Sequence, residues 1–125
     1  MQIRVLLSIK PEFAEMIFNG TKRYEFRRQL FRNSDVTCVV VYASSPIQKV
    51  IGEFEVAEII SLSPNRLWKS TKKYSGISKK FFEDYFHGKQ LGHAIKIKKA
   101  KRYRRPLDLN ETFDIVHPPQ SFAYI

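Results

Sequence analysis

Cysteine is almost missing from this 125-residue chain: Cys38 stands alone, so no internal disulfide can form. Its setting, Val36-Thr-Cys-Val-Val-Val-Tyr42, reads as that of a small buried hydrophobe, with a catalytic thiol as the other reading. Long apolar runs are lacking too, and none approaches the ~20 residues that cross a bilayer. The opening Met1-Gln-Ile-Arg-Val does not have the charged-then-apolar layout of a leader, so a cytoplasmic protein without a membrane partner is expected. The five glycines are scattered, and none opens a G-x-x-x-x-G-K phosphate loop. His87, His93 and His117 stand far apart with no cysteine pair or His-Glu-x-x-His string, so no metal or other cofactor is expected. Acidic residues are in deficit, 12 against 22 Lys and Arg, which leaves a formal charge of +10. Such an excess points to a polyanion, because counterions released from phosphates supply affinity without regard to sequence. A nucleic acid, RNA or DNA, or a nucleotide is the partner expected from this charge.

What is present suffices for one domain over residues 1–125: 43% of the residues are hydrophobic and 14% aromatic. Residues 2–8 alternate as a strand, with Ile3, Val5 and Leu7 on one side. Pro11 fits a first helical turn; Phe13, Ala14, Ile17 and Phe18 give a helical face over 11–19, and Asn19-Gly20 ends it. Residues 22–28 read as a strand with Tyr24 and Phe26 on one face and Arg23, Glu25 and Arg27 on the other. Residues 36–43 are apolar on both faces, as in a central strand, and Ser44-Ser45-Pro46 breaks them. A long strand over 49–60 slips phase near Ala57, which predicts a bulge. Two helices follow. Ser63-Pro64 opens the first and Ser78 caps the second, whose Phe81, Phe82, Tyr85 and Phe86 read as core before Gly88 ends it. A last long strand runs over 92–103, and the tail from Pro118 suggests a short closing strand. Mostly antiparallel strands with inserted short helices predict an α+β fold built as a small barrel.

Two stretches carry candidate chemistry. Gly20-Thr-Lys-Arg-Tyr-Glu-Phe-Arg27 is a G-x-K-x-x-E-x-R string in which Glu25 and Arg27 share one strand face beside Lys22 at the turn. A carboxylate between two cations stays ionised, and the cations remain available to an anion; a solvated, salt-bridged strand face would give the same pattern. From Lys96 to Arg105, seven of ten residues are basic with no acid among them. Lys96, Lys98, Lys99, Lys101 and Arg102 would track a phosphate backbone, with Tyr103 as a stacking surface.

The string resembles the signature of ASCH domains, a branch of the PUA-like fold. Leu6-Leu-Ser-Ile-Lys-Pro11, Tyr42-Ala-Ser-Ser-Pro46, Gly52-Glu-Phe-Glu55, Tyr74-Ser-Gly-Ile-Ser78 and Pro118-Pro-Gln-Ser-Phe122 are similar to small prokaryotic ASCH proteins, so the likeness covers essentially the whole chain. It implies a PUA-like mixed or antiparallel β-barrel with a cleft beside the signature helix–strand turn. It further implies an RNA or modified-nucleotide ligand, in a branch described as predicted transcriptional regulators or RNA-binding proteins. Mapped here, Lys22, Glu25 and Arg27 would line the cleft. Ser8, Lys10, Ser44 and Ser45 would form its rim, and Gln120 and Ser121 would add donors from the tail. The leading expectation is a nucleic-acid-binding module. Certain ASCH proteins resemble ribonucleases, for which Glu25 would be the base and Lys22 the phosphate stabiliser. Others are amidohydrolases of N4-acetylcytidine that pair a lysine with a threonine three residues on. Here Glu25 holds that place, and a carboxylate does not replace an activated hydroxyl. A small-metabolite sensor is the remaining expectation.

Overall fold

The computed structural model describes residues 3–125, so Gln2, at the start of the first expected strand, lies outside the described residues. The elements are β1 (Ile3–Ile9), α1 (Pro11–Asn19), β2 (Tyr24–Arg27), β3 (Val36–Ala43) and β4 (Lys49–Leu62). After these come α2 (Pro64–Thr71), a 3-10 turn (Lys72–Tyr74), α3 (Lys79–Tyr85), β5 (Gly92–Leu107), α4 (Leu109–Phe113) and β6 (Phe122–Tyr124). Six strands form one curled sheet in the order β2-β5-β4-β3-β1-β6, an α+β half-barrel of the PUA-like kind. Pairing is antiparallel except between β1 and β3, which α1 and β2 separate in the chain. Among the described residues no helix is long and apolar enough to cross a membrane.

The central strands are buried on both faces, as their unbroken apolar sequence requires. Val5, Leu7, Val39 and Val41 pack with Ala14 and Ile17 of α1 on the inner side of the curl. Leu6, Val40 and Tyr42 face outward and are covered by Leu109 of α4. The expected bulge is present: the β4–β5 register shifts between Val56 and Glu58, on either side of Ala57. A third cluster lies where α2 and α3 press Leu67, Phe82 and Phe86 onto Phe26 and Ala94.

This last packing corrects the reading of α3. Phe82 and Phe86 are core, but Phe81 is 38% exposed and Tyr85 is only half-buried. Successive helical positions point about 100° apart, so a run of adjacent aromatics cannot all face one sheet. Ser78 caps α3 as expected, its Oγ accepting from the Phe81 N–H at 3.1 Å.

The curl brings the two edges of the sheet together. Arg27, at the end of β2, donates to the carbonyl of Ser121 at 2.6 Å, immediately before β6. Ser8, near the end of β1, donates to the carbonyl of Pro119 at 2.9 Å. The Arg27–Ser121 bond thereby stitches the open side of the barrel at one end, the Ser8–Pro119 bond ties the chain before β6 to the neighbouring β1, and the candidate site lies beside both.

Candidate functional site

Gly20 ends α1 with φ +86°, a conformation glycine adopts without strain, and the N–H groups of Thr21 and Lys22 then bond back to the Met16 carbonyl. This reversal sends Lys22 inward. It is 2% exposed, and its Nζ donates to the Ser75 carbonyl at 2.6 Å. The ammonium lies 5.1 Å from the centroid of Phe13 and 4.9 Å from that of Phe26. Aromatic faces and one carbonyl thus stand in for part of its lost hydration. Gly76 lies against the lysine stem: a Cβ there would fall 2.7 Å from both Cβ and Cγ of Lys22. The loop after the 3-10 turn is therefore moulded over the side chain.

Glu25 lies opposite Ile95 in the β2–β5 ladder, so its side chain turns to the inner face and is 6% exposed. The solvated strand face allowed by the alternation is thus not what forms. Arg27, two residues on, donates to Glu25 at 3.2 Å as well as to Ser121. Burial lowers the Lys22 pKa to about 8, opposed by the Glu25 charge. Burial raises that of Glu25, opposed by Arg27 and Lys22. Desolvation thus draws the two proton affinities toward each other within one site.

The three groups open onto a cleft of about 290 Å³. Phe13, Ile77, Phe81 and Tyr85 supply apolar wall, and Ser8, Lys10 and Arg28 lie along the margin. Phe13 and Phe81 meet edge-to-face at 5.4 Å. The Lys10 ammonium sits 5.5 Å from the Phe81 ring, and the Arg28 guanidinium 4.7 Å from the Tyr85 ring. Two aromatic walls therefore carry a cation each, an arrangement suited to a flat, apolar-faced group with a phosphate attached. Arg28, Phe13, Phe81 and Tyr85 were absent from the expected site. The aromatics read as core, and only the doubled arginine after Glu25 hinted at Arg28.

The other expected positions fall into three groups. Ser8 and Lys10 line the cleft, although the Ser8 hydroxyl is bonded to the tail. Ser44 and Ser45 do not line it: the Ser44 N–H bonds to Ile9, and Ser45 precedes a cis Pro46 in the β3–β4 turn. Gln120 and Ser121 border the adjoining groove instead. The basic run lies along β5, away from the cleft. Lys96, Lys99 and Lys101 are exposed without an ion pair among the described residues. Lys98 approaches Glu55 at 4.0 Å, and Arg102 pairs with Glu15 at 2.6 Å over the Phe18 ring. Tyr103 is half-buried and donates to Glu53 at 2.7 Å, so its ring belongs to the outer-face packing instead of standing free to stack. Cys38 is buried, and burial together with Glu53 pushes its thiol up to about 12, leaving it protonated and unreactive at neutral pH. Among the described residues no group of three or more His, Cys, Asp or Glu could hold a metal ion.

The chain is similar to known proteins over nearly its full length. The ASCH domain-containing ribonuclease of Zymomonas mobilis is 29% identical over 123 residues, 96% of this chain and 82% of that protein. The crystal structure of ASCH from Zymomonas mobilis superposes with a TM-score of 0.87 at 30% identity, covering 98% of this chain and 87% of that one. Large ribosomal subunit protein uL22 of Ureaplasma parvum is 32% identical over 121 residues, but the chain spans only 39% of its length. The ASCH domain profile itself matches residues 7–101, from the middle of β1 into the basic run of β5. With a profile match over most of its length and a fold to agree, this chain belongs to the ASCH domain family.

Proposed function

We propose that this chain is a ribonuclease that draws single-stranded RNA across the aromatic cleft and cleaves the backbone beside Lys22 and Glu25. The reading is carried by one observation: a carboxyl and an ammonium, both buried, line one open cleft with aromatic walls and cations on its rim. The name of the Zymomonas relative, a ribonuclease, supports the same class of reaction. A base enters between the aromatic walls while Lys10 and Arg28 hold the flanking phosphates. Glu25, its affinity for protons raised, takes the proton of the ribose 2′-hydroxyl as that oxygen attacks phosphorus. Lys22 donates to the phosphate and, acidified by burial, protonates the departing 5′-oxygen. The products are a 2′,3′-cyclic phosphate and a free 5′-hydroxyl.

The test uses end-labelled single-stranded RNA, the matching DNA and duplex RNA with wild type, Lys22→Ala and Glu25→Gln, resolved on a denaturing gel. Single-stranded RNA should be cut and DNA left intact for want of a 2′-hydroxyl. Glu25→Gln should reduce cleavage by about 100-fold or more while binding persists. RNA bound in a Lys22-dependent way but never cut would make the domain a binding module. Neither binding nor cutting would remove RNA from the cleft.

A further inference from the structure

Beside the cleft, and sharing Arg27, Arg28 and Tyr85 with it, lies a second groove of about 500 Å³. We propose that this groove is a second nucleotide subsite, so that the chain engages RNA as a two-nucleotide step with the linking phosphate on the Arg27–Arg28 ridge. The proposal rests on the RNA reading above and extends it from one nucleotide to the next.

The two hollows differ in chemistry. The cleft is walled largely by Phe13, Phe26, Phe81 and Ile77, whereas the groove adds Lys89, Gln29 and Gln120 and contains no acidic residue. Of the five N–H donors of Arg27, the contacts to Glu25 and Ser121 account for two. Arg28 and Lys89 make no ion pair among the described residues. The Arg28 guanidinium lies over the Tyr85 ring at 4.7 Å, and with no ion pair among the described residues its N–H donors are available to a phosphate. The amides of Gln29 and Gln120 offer donors and acceptors to a sugar hydroxyl or base edge. A cation ridge between an aromatic cleft and a polar groove matches the repeat of a nucleic-acid strand: base, phosphate, next nucleoside. An acidic peptide would meet the same cations but would leave the aromatic cleft unfilled.

Calorimetric titration with non-cleavable 2′-fluoro mono-, di- and tetranucleotides tests this. The proteins are wild type, Lys89→Ala, a Gln29→Ala/Gln120→Ala double variant, and Lys22→Ala. All three groove side chains are exposed, so these variants should keep the wild-type melting temperature. Wild type should gain about tenfold in affinity from mono- to dinucleotide. The groove variants should lose most of that gain with mononucleotide binding unchanged, and Lys89→Ala should lower the salt slope by about 0.7. If the groove variants keep the full gain while Lys22→Ala still weakens mononucleotide binding, the subsite is refuted and the cleft reading stands. If wild type binds none of the three, the cleft reading fails and the subsite with it.

Discussion

Replacing Lys22 with methionine should change how stability responds to pH. The buried lysine titrates at about 8, against an ordinary 10.5. At about 1.4 kcal/mol for each tenfold change in proton affinity, keeping the ammonium in that site costs the fold roughly 3 kcal/mol at neutral pH. Between the two values the unfolded chain still holds the proton that the folded chain has released. Stability therefore climbs with pH across this window, and by pH 10 all but about 1 kcal/mol of the cost is gone. Methionine fills a similar volume and carries no proton, so its variant lacks this climb. Urea unfolding of both proteins at pH 7 and pH 10 isolates the effect, because titrations common to both cancel in the difference. Wild type should gain about 2–3 kcal/mol on the variant over that interval. A difference constant to within about 0.5 kcal/mol would show that Lys22 is hydrated and that the site is not desolvated as described.

Gly76→Ala should be costly although the residue touches no proposed ligand. Its φ is +71° and its Cβ would press on the Lys22 stem, so we expect a loss of about 1–3 kcal/mol in chemical unfolding and weakened RNA cleavage. Stability and activity both like wild type would mean that the loop does not hold Lys22. Changing Lys96, Lys99 and Lys101 together to glutamine should lessen the dependence of long-RNA binding on salt by about 2 in slope, with dinucleotide affinity unaltered. An unchanged slope would remove the β5 run from the interface.

Where a residue's setting is decided by its immediate neighbours, it could be read from the chain. The two-faced apolar run of Val36–Ala43, the glycine that closes α1, the phase slip at Ala57 and the cap at Ser78 all announce themselves within a few residues. The family signature likewise pointed to Lys22, Glu25 and Arg27 as neighbours in one site. Their burial was not legible. A lysine after a glycine turn reads as surface, and what encloses Lys22 is the Ser75–Gly76 loop, more than fifty residues on and positioned by α2 and α3. Phe81 and Tyr85 were misread because an aromatic repeat shows which residues are apolar, not which of two hollows each one faces. Helix α4 escaped notice because five residues are too few for a period. Its only local mark is Asp108, whose carboxylate accepts from the Glu111 N–H at 3.0 Å.

The bonds that tie the tail back to the first strands set an order of events during folding. Ser8 is bonded to a residue 111 positions downstream, and Arg27 to one 94 positions downstream. β1, α1 and β2 come early in the chain, yet the two edges of the sheet cannot be joined until the segment before β6 has been made. Contacts of such long sequence separation also form late in folding, because a large loop must close before they repay its entropy. Arg27, which borders both the cleft and the adjoining groove, is thus held at its Ser121 end only when the rest of the sheet is already in place.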